Sequence, residues 1–276
     1  MSKVTIYTDL DGSLLDHDSY SHAPADTLLQ ELEKKQVPVI LSSSKTRAEM
    51  LPLRKELNNT HPFIVENGAA IFIPKGYFAN KPQGVSEAGE YWNKAFSHRR
   101  AHWLDIIDSV AAPFIDDFIQ FNAMDTQKII ELTGLNEANA KLAAQREFGE
   151  PIYWHGSEEN KIKFIEALKN EESKILTGGR FIHISGDNDK GKALLWLNEQ
   201  YKQQFSQVFS IAIGDSHNDI AMLEAANQAL LIRSHAHQPP QLRTQKRIII
   251  SDAYGPEGWD QGVRSILELL KNKPES

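Results

Sequence analysis

Short apolar runs and amphipathic segments alternate along the first third of the chain. The β-branched and aromatic run Val4–Thr8 ends at acidic residues and a glycine, which predicts a short buried strand. Leu28 and Leu32 then share one face of a helical segment, and Thr46 with Glu49 forms the capping-box pattern that begins a second helix. Apolar runs between and after these helices complete an alternation that is typical of a parallel α/β sheet.

The middle of the chain follows a different pattern. The stretch from Pro74 to Ser86 is rich in Gly, Pro, Lys and Asn, which is typical of a linker. Beyond it, helices alternate with strands that include a predicted hairpin across Gly178-Gly179. Parallel-sheet order resumes after residue 187. We therefore predict an α/β fold whose Rossmann-like parallel-sheet core is interrupted by an inserted α+β domain, with the core at residues 1–78 and 187–276 and the insertion at 79–186.

The composition narrows the chemistry. None of the 276 residues is cysteine, which excludes disulfides, thiolate zinc sites, iron–sulfur clusters and a cysteine nucleophile. Thirty Lys and Arg residues against 37 Asp and Glu residues give a net charge of −7. That mild acidity argues against nucleic acid or an anionic membrane as the main partner.

Expectations about location follow from the same composition. The absence of cysteine is compatible with a reducing compartment, so we expect a cytoplasmic protein. No apolar segment precedes the first acidic residues, so we expect no secretory signal. No run of about 18 apolar residues occurs, so we expect no membrane span.

Two aspartates follow the first predicted strand. Asp9 stands where the strand ends, Asp11 follows two residues later, and Gly12 allows the chain to turn. Ligands of open α/β sheets bind beyond the carboxyl ends of the strands, so these carboxylates can act as a nucleophile and a proton shuttle. The alternative is a surface turn with two solvated acids.

A second acidic cluster follows another apolar run, at Gly214-Asp215-Ser216-His217-Asn218-Asp219. Asp215 holds the same strand-end position as Asp9, whereas Asp219 can also act as the N-cap of the next helix. Three carboxylates around one point repel each other unless a cation lies between them. Oxygen ligands without histidine or cysteine favour Mg²⁺.

Two further segments offer groups that bind phosphate. Ser42-Ser43-Ser44-Lys45 follows the second strand, where hydroxyls and helix-start N–H groups can hold phosphate oxygens; the alternative is a serine-rich turn. Lys190, at the start of the fourth predicted helix, can neutralise the nucleophile and the phosphate together; the alternative is a solvated lysine. The surrounding Gly186–Ala193 nearly matches a nucleotide-binding P-loop, but Ala193 replaces the hydroxyl that binds Mg²⁺ there, and its two aspartates would repel a triphosphate.

The segment Glu66-Asn67-Gly68 lies between two apolar runs and carries the Asn-Gly pair typical of a tight hairpin. We predict this structural role, with contact to a substrate as the alternative. Several cations outside the acidic clusters are candidates for binding a substrate carboxylate, and for each of them a solvated surface charge is the alternative: Lys45, Arg47, Arg146, Arg180 and His183.

Four of these segments resemble the four motifs of the haloacid dehalogenase-like phosphatases, in the family's order. They are Asp9-Leu10-Asp11-Gly12-Ser13, Ser43, Lys190 and Gly214-Asp215 with Asn218-Asp219. Ser13 and Ser43 stand where many relatives have threonine, and both keep the hydroxyl. Stretches across nearly the whole chain resemble the mannosyl-3-phosphoglycerate phosphatases, among them Phe63–Gly68, Leu132–Leu135, Gly178–Phe181 and Gly255–Gly258.

The resemblance implies a role for each matching residue. Asp9 would be the nucleophile that forms an aspartyl-phosphate, and Asp11 would protonate the leaving alkoxide and then activate water. Ser43 and Lys190 would hold phosphate oxygens. The Mg²⁺ ligands would be the side chains of Asp9 and Asp215 and the backbone carbonyl of Asp11, supported by Asn218 and Asp219. The residues implied to contact substrate are Ser44, Lys45, Arg146 and Arg180.

The implied reaction is hydrolysis of 2-O-mannosyl-3-phosphoglycerate, a small sugar-acid phosphate, to mannosylglycerate and phosphate. The inserted domain would act as a cap that moves about hinges at Pro74-Lys75-Gly76 and Ser185-Gly186. The alternatives are glucosyl-3-phosphoglycerate, another small sugar phosphate, or phosphoryl transfer by a phosphomutase. A non-catalytic binding module would be expected to lack a motif residue, and none is missing.

Overall fold

The computed structural model describes residues 2–169, 173–178, 180–243 and 248–272. The first half of the core alternates strands and helices: β1 (Ser2–Thr8), α1 (Asp26–Lys34), β2 (Val39–Ser42), α2 (Arg47–Glu56) and β3 (Phe63–Val65). Three more strands follow: β4 (Ala70–Pro74), β5 (Ser86–Ala88) and β6 (Tyr91–Ala95).

The inserted segment forms a smaller α+β domain, called the cap below. Its elements are α3 (Arg100–Ala111), β7 (Phe118–Gln120), α4 (Thr126–Thr133), α5 (Glu137–Ala143), β8 (Glu150–Trp154), α6 (Glu158–Leu168), β9 (Lys174–Gly178) and β10 (Phe181–Ser185). The strands form an antiparallel sheet in the order β7-β8-β10-β9. Trp103 and Phe164 from the helices pack with Ile152 and Ile182 from this sheet. The predicted hairpin is β9–β10, although Gly179 lies outside the described residues.

The second half of the core returns to strand and helix alternation. Its elements are α7 (Lys190–Lys202), β11 (Gln207–Gly214), α8 (Ile220–Ala225), β12 (Gln228–Arg233), β13 (Ile248–Tyr254) and α9 (Gly255–Lys271). None of the described helices is both long enough and apolar enough to cross a membrane.

The core strands form one sheet in the order β13-β12-β11-β1-β2-β3-β4-β6-β5. Strands β13 to β3 are parallel, and the remaining three are antiparallel. Successive residues of β1 face opposite sides, because Ile6 packs with Leu28 and Trp259 whereas Tyr7 packs with Leu194. Helices therefore cover both faces of the sheet, which confirms the predicted α/β class and inserted domain.

The first boundary of the inserted domain differs from the prediction. Strands β5 and β6 extend the core sheet, whereas the sequence analysis assigned residues 79–186 to the insertion. The short β5 is polar and largely exposed, so it lacks the apolar alternation that identifies a strand. Gly186 N donates to Ser97 Oγ at 3.3 Å, so the two chain crossings lie side by side. We therefore keep the predicted hinge at Ser185-Gly186 and propose the other at Ser97 rather than at Pro74–Gly76.

The predicted capping box at the start of α2 is present. Glu49 N donates to Thr46 Oγ1 at 3.2 Å, and Thr46 N donates to Glu49 Oε2 at 2.8 Å. Because both bonds satisfy N–H groups at the helix start, they fix the point at which α2 begins. The capping box therefore also sets where the short Ser43–Lys45 segment, which lies between β2 and α2, must end.

Candidate active site

The carboxyl ends of three neighbouring strands meet at one edge of the core sheet. β1 lies between β2 and β11 and is parallel to both, and Thr8 is in register with the ends of both neighbours. The residues that follow these strands are Asp9, Ser43 and Asp215, and all three are buried. Parallel pairing therefore brings together three side chains that are far apart in the sequence.

The ammonium group of Lys190 lies between two of the predicted acidic residues. Lys190 Nζ is 2.5 Å from Asp9 Oδ1 and 2.7 Å from Asp219 Oδ1, and its side chain has no solvent exposure. Burial alone would lower the pKa of Lys190, but the charges of Asp219 and Asp9 raise it above the usual value. This lysine therefore stays charged and connects the third and fourth motifs to the first.

One ammonium group does not balance the acidic cluster. Burial and the nearby charge of Asp219 raise the pKa of Asp9 to about 8, even though Lys190 acts in the opposite direction. Burial and Asp219 also raise the pKa of Asp215 above the usual value. The cluster therefore has an excess of negative charge that a further cation would stabilise.

The donor atoms around this excess charge fit a small divalent ion. Asp9, Asp215 and Asp219 each offer an oxygen, and these oxygens lie within 4.8 Å of one another. Gly12 has φ +79°, and a Cβ there would lie 2.6 Å from Asp215 Oδ2, so a side chain at this turn would displace that carboxylate. Asp11 Oδ1 is buried without a hydrogen-bond partner among the described residues. All-oxygen donors of this kind suit Mg²⁺.

Asp219 differs from the other two acids because both of its oxygens are already engaged. Its Oδ1 accepts from Lys190, and its Oδ2 accepts from the backbone N–H groups of Asp215 and Ser216 at 3.2 and 3.1 Å. A carboxylate held in this way orients its neighbours. The arrangement leaves Asp9 and Asp215 as the carboxylates with oxygens available to a cation.

Lys45 pairs with Asp11, the second aspartate after β1. Its Nζ is 2.9 Å from Asp11 Oδ2. Burial would lower the pKa of Lys45, but the charge of Asp11 raises it above the usual value. Lys45 also lines a cavity of about 440 Å³ together with Tyr20 from the core and Asn136 and Asn139 from the cap. Asp11 is thus linked through one ion pair to a cavity of mixed polar and apolar lining between the two domains.

The serine segment is held by a bond to β3 and by a bond within the segment. Ser43 N donates to Ile64 O at 3.1 Å, and Lys45 N donates to Ser43 Oγ at 3.2 Å. From the cap, Arg146 Nη2 donates to Ser44 O at 3.1 Å. The structure therefore brings Ser43, Ser44, Lys45 and Arg146 to the same edge of the sheet as the acidic cluster.

The last predicted substrate residue lies elsewhere. Arg180 directly precedes β10, and the core lies at the other end of this strand. Arg180 Nη1 donates to Leu132 O at 2.5 Å. It lines a separate cap cavity with Tyr153 and Lys161. The structure does not bring Arg180 to the acidic cluster, and its predicted contact with a substrate carboxylate stays a prediction. His183, on the same strand, lies nearer to the core, and burial and the charge of Arg146 lower its pKa to about 4.

Two contacts at the cluster were not predicted. His237 Nε2 lies 3.1 Å from Asp215 Oδ2. Trp259 Nε1 donates to Thr8 Oγ1 at 3.0 Å, and that hydroxyl donates to Asp9 O at 2.7 Å. The loop that holds His237 follows β12, which ends at the same edge of the sheet. Ligands bind beyond the carboxyl ends of the strands, so applying this rule to β12 as well would have pointed to His237.

The segment that resembles a P-loop is arranged differently from one. Asp189 caps α7, because its Oδ1 accepts from Lys192 N at 2.7 Å. Lys192 Nζ binds Asp187 Oδ2 at 2.6 Å. An acidic side chain therefore occupies the helix N-terminus where a P-loop would hold phosphate.

A family model described as haloacid dehalogenase-like hydrolase matches residues 6–234. The chain belongs to the haloacid dehalogenase-like hydrolases. It is 37% identical over 98% of its length to a glucosyl-3-phosphoglycerate/mannosyl-3-phosphoglycerate phosphatase of Methanococcoides burtonii, 99% of which is covered. It is 35% identical over 86% of its length to a mannosyl-3-phosphoglycerate phosphatase of Pyrococcus horikoshii, 93% of which is covered.

Among solved structures, this haloacid dehalogenase-like hydrolase resembles the sucrose-phosphatase of Synechocystis, with a TM-score of 0.62 and 14% identity. The match covers 96% of this chain and 98% of that one. At that identity the likeness shows a shared fold, including the inserted cap. The family predicted from the four motifs is confirmed, and the chain is a phosphatase of this family.

Proposed function

We propose that this phosphatase is a Mg²⁺-dependent phosphomonoesterase that acts through an aspartyl-phosphate and hydrolyses 2-O-mannosyl-3-phosphoglycerate. The observation that carries the proposal is the contact of Lys190 with Asp9 at the strand-end edge where Asp215 and Ser43 also lie. The names of the two curated relatives support the choice of substrate. A cytoplasmic location stays a prediction.

Residues Asp9, Asp11 and Asp215 would hold the metal, Asp11 through its backbone carbonyl. When bound, Mg²⁺ would neutralise the repulsion between the phosphate and the attacking carboxylate. Burial and the charge of Asp219 raise the pKa of Asp9, so a cation beside it would stabilise its charged form, which supports this assignment. Asn218 and Asp219 would support the site, because Asp219 binds Lys190 and the backbone beside Asp215.

The chain's own residues account for both chemical steps. In the first, Asp9 Oδ attacks phosphorus, a new P–O bond forms to the carboxylate, and the ester P–O bond breaks. Asp11 supplies the proton that the departing sugar-acid oxygen takes up. In the second, Asp11 removes a proton from water, the water oxygen attacks phosphorus, and the Asp9–phosphorus bond breaks to release phosphate. Ser43 and Lys190 would hold the phosphate oxygens in both steps.

The cavity between core and cap supports a polar leaving group. Its polar lining includes the cation Lys45, which binds Asp11, the amides of Asn136 and Asn139, and the carboxylates of Glu49 and Glu56. Lys45 and Arg146 are the two predicted substrate cations that lie beside the reacting groups, and they suit the carboxylate of a glycerate. Glucosyl-3-phosphoglycerate is the second candidate, because the Methanococcoides relative is named for both substrates.

A kinetic panel tests the proposal. We expect kcat/KM for mannosyl- or glucosyl-3-phosphoglycerate to exceed that for hexose phosphates, with Mg²⁺ required and EDTA inhibitory. A higher value for hexose phosphates would overturn the choice of substrate. Single turnover in ¹⁸O-water separates hydrolysis from transfer: label in the released phosphate supports hydrolysis, whereas an isomerised sugar phosphate without label would indicate a phosphomutase.

A further inference from the structure

The turn between β3 and β4, formed by Glu66, Asn67 and Gly68, has an unusual backbone. All three residues lie in the left-handed region, with φ of +47°, +56° and +88°. The strands pair antiparallel around it, so the predicted hairpin is confirmed. An Asn-Gly pair is sufficient for a hairpin, whereas a glutamate in the left-handed region is strained and needs compensating contacts. The contacts that offset this strain therefore indicate the role of Glu66.

The side chain of Glu66 binds the cap. Its carboxylate accepts from the backbone N–H groups of Glu147 at 2.8 Å, Phe148 at 3.2 Å and Gly149 at 3.0 Å. Arg146 Nε lies 3.4 Å from the same carboxylate. Only 5% of Glu66 is exposed, so these bonds form away from water. A core residue thus holds four consecutive residues of the cap, 146–149, which we call the cap loop.

The other two residues of the turn, Asn67 and Gly68, contact the segments that carry the second, third and fourth motifs. Asn67 N donates to Ser43 O at 2.9 Å, and Asn218 Nδ2 donates to Asn67 Oδ1 at 3.1 Å. Asn188 Nδ2 donates to Asn67 O at 3.3 Å. Gly68 lies so close to the next motif that a Cβ would be 2.2 Å from the Asp189 backbone. One turn therefore contacts the second, third and fourth motif segments and, through Glu66, the cap.

We propose that Glu66 is a positioning residue that sets the cap loop, and with it Arg146, against the catalytic edge. Arg146 is the residue affected most directly, because it binds Ser44 O beside the predicted phosphate-binding Ser43. The inference rests on the proposed function, since it assigns Glu66 to substrates large enough to contact the cap. Small aryl phosphates that need only the core should not depend on it.

The variant that tests this is Glu66→Gln. Glutamine keeps the volume, but it replaces one acceptor oxygen with an N–H₂ group that faces a backbone N–H, and it removes the charge beside Arg146. The matched control is Glu150→Gln. Glu150 is also buried and binds an arginine and a backbone N–H, but its partners Arg100 and Asn122 are themselves in the cap. The control therefore disturbs the cap without cutting the contact to the core.

Two substrates give the readout. In Glu66→Gln we expect kcat/KM for mannosyl-3-phosphoglycerate to fall about 10- to 100-fold, because a small misplacement of a positioning group has that effect. Turnover of p-nitrophenyl phosphate should change by less than about threefold. In Glu150→Gln the ratio of the two kcat/KM values should match wild type. An equal loss on both substrates, or an equal change of ratio in the control, would overturn the proposal.

Amide hydrogen exchange tests the contact without any substrate. The amides of Glu147, Phe148 and Gly149 should lose protection in Glu66→Gln and keep it in Glu150→Gln. Unchanged protection in Glu66→Gln would overturn the proposal by itself. If the wild-type protein hydrolyses p-nitrophenyl phosphate but no glycosyl phosphoglycerate, the proposed substrate is wrong, while the exchange result still decides the role of Glu66.

Discussion

Lys190 Nζ lies 2.5 Å from Asp9 Oδ1, and the two residues are 181 positions apart in the sequence. Lys190 is fully buried, and its second carboxylate partner, Asp219, is buried as well. The lysine is therefore both the cation closest to the proposed nucleophile and a structural link between the two halves of the core. These two roles can be separated by experiment.

Replacing Lys190 with methionine should lower both stability and activity. The change leaves two buried carboxylates without their cation, which costs about 3–5 kcal/mol of unfolding free energy. Loss of a charge that stabilises the transferring phosphoryl group should lower kcat about 100- to 1,000-fold. Chemical denaturation and p-nitrophenyl phosphate turnover measure the two effects.

The control for this change is Lys192→Met, one half-turn further along α7. Lys192 is exposed and pairs with Asp187, and such surface pairs contribute at most about 1 kcal/mol. We expect the control to keep wild-type turnover. Equal losses of activity in the two variants would show that the loss in Lys190→Met does not come from its contact with Asp9.

Replacing Asp9 with asparagine should abolish turnover without unfolding the protein. Asparagine keeps the shape but cannot attack phosphorus, so we expect kcat to fall by at least about 1,000-fold. Because Asp9 is crowded by Asp219, removing its charge should not lower the unfolding free energy. Phosphatase assays and denaturation curves on the same preparation check both statements. Substantial residual turnover by the variant would falsify the nucleophile assignment.

The acidic site could be predicted from the sequence because it depends on two local rules. Apolar runs mark the buried strands, and the residues that follow parallel strands meet at one edge of the sheet. Asp9, Ser43 and Asp215 are all positions of this kind. The pairing of Lys190 with the nucleophile was one of two interpretations that the residues left open. The family resemblance favoured it, because no local pattern joins a helix start to a strand end across most of the chain.

The contacts between core and cap could not be predicted in the same way. Glu66 binds amides 81 to 83 residues away, and no periodic pattern encodes how one domain docks on another. The substrate role of Arg180 stays a prediction, since a stretch that resembles a subfamily gives no information about which end of a strand faces the site. The sequence analysis did not predict the polar edge strand β5, because β5 has no buried residues to produce an alternation of apolar and polar positions.

His183 should make the folded state sensitive to acid. Its pKa is about 4 in the folded protein, because burial and Arg146 disfavour the charged form, against about 6.5 in the unfolded chain. The unfolded chain therefore binds the proton more readily, and the unfolding free energy should fall as pH falls from 6.5 towards 4.

The variant His183→Gln isolates this effect. It removes the titrating group, so the decline between pH 6.5 and 4 should be shallower than in wild type, whereas the two proteins should show parallel behaviour above pH 7. Urea denaturation at a series of pH values provides the comparison. Identical pH profiles for variant and wild type would mean that His183 is not buried as the structure places it.

The two glycines Gly12 and Gly76 separate backbone strain from damage to the proposed metal site. Both have positive φ, +79° and +82°, so alanine at either position should cost about 1–2 kcal/mol. A Cβ at Gly12 would lie 2.6 Å from Asp215 Oδ2, whereas a Cβ at Gly76 has no atom within 4 Å among the described residues.

Added Mg²⁺ should raise the melting temperature of wild type and Gly76→Ala, because a ligand that binds only the folded state stabilises it. The Gly12→Ala protein should show a smaller rise at the same Mg²⁺ concentration, because its displaced Asp215 binds the ion less tightly. If Mg²⁺ stabilises both variants equally, Asp215 is not a ligand of the ion.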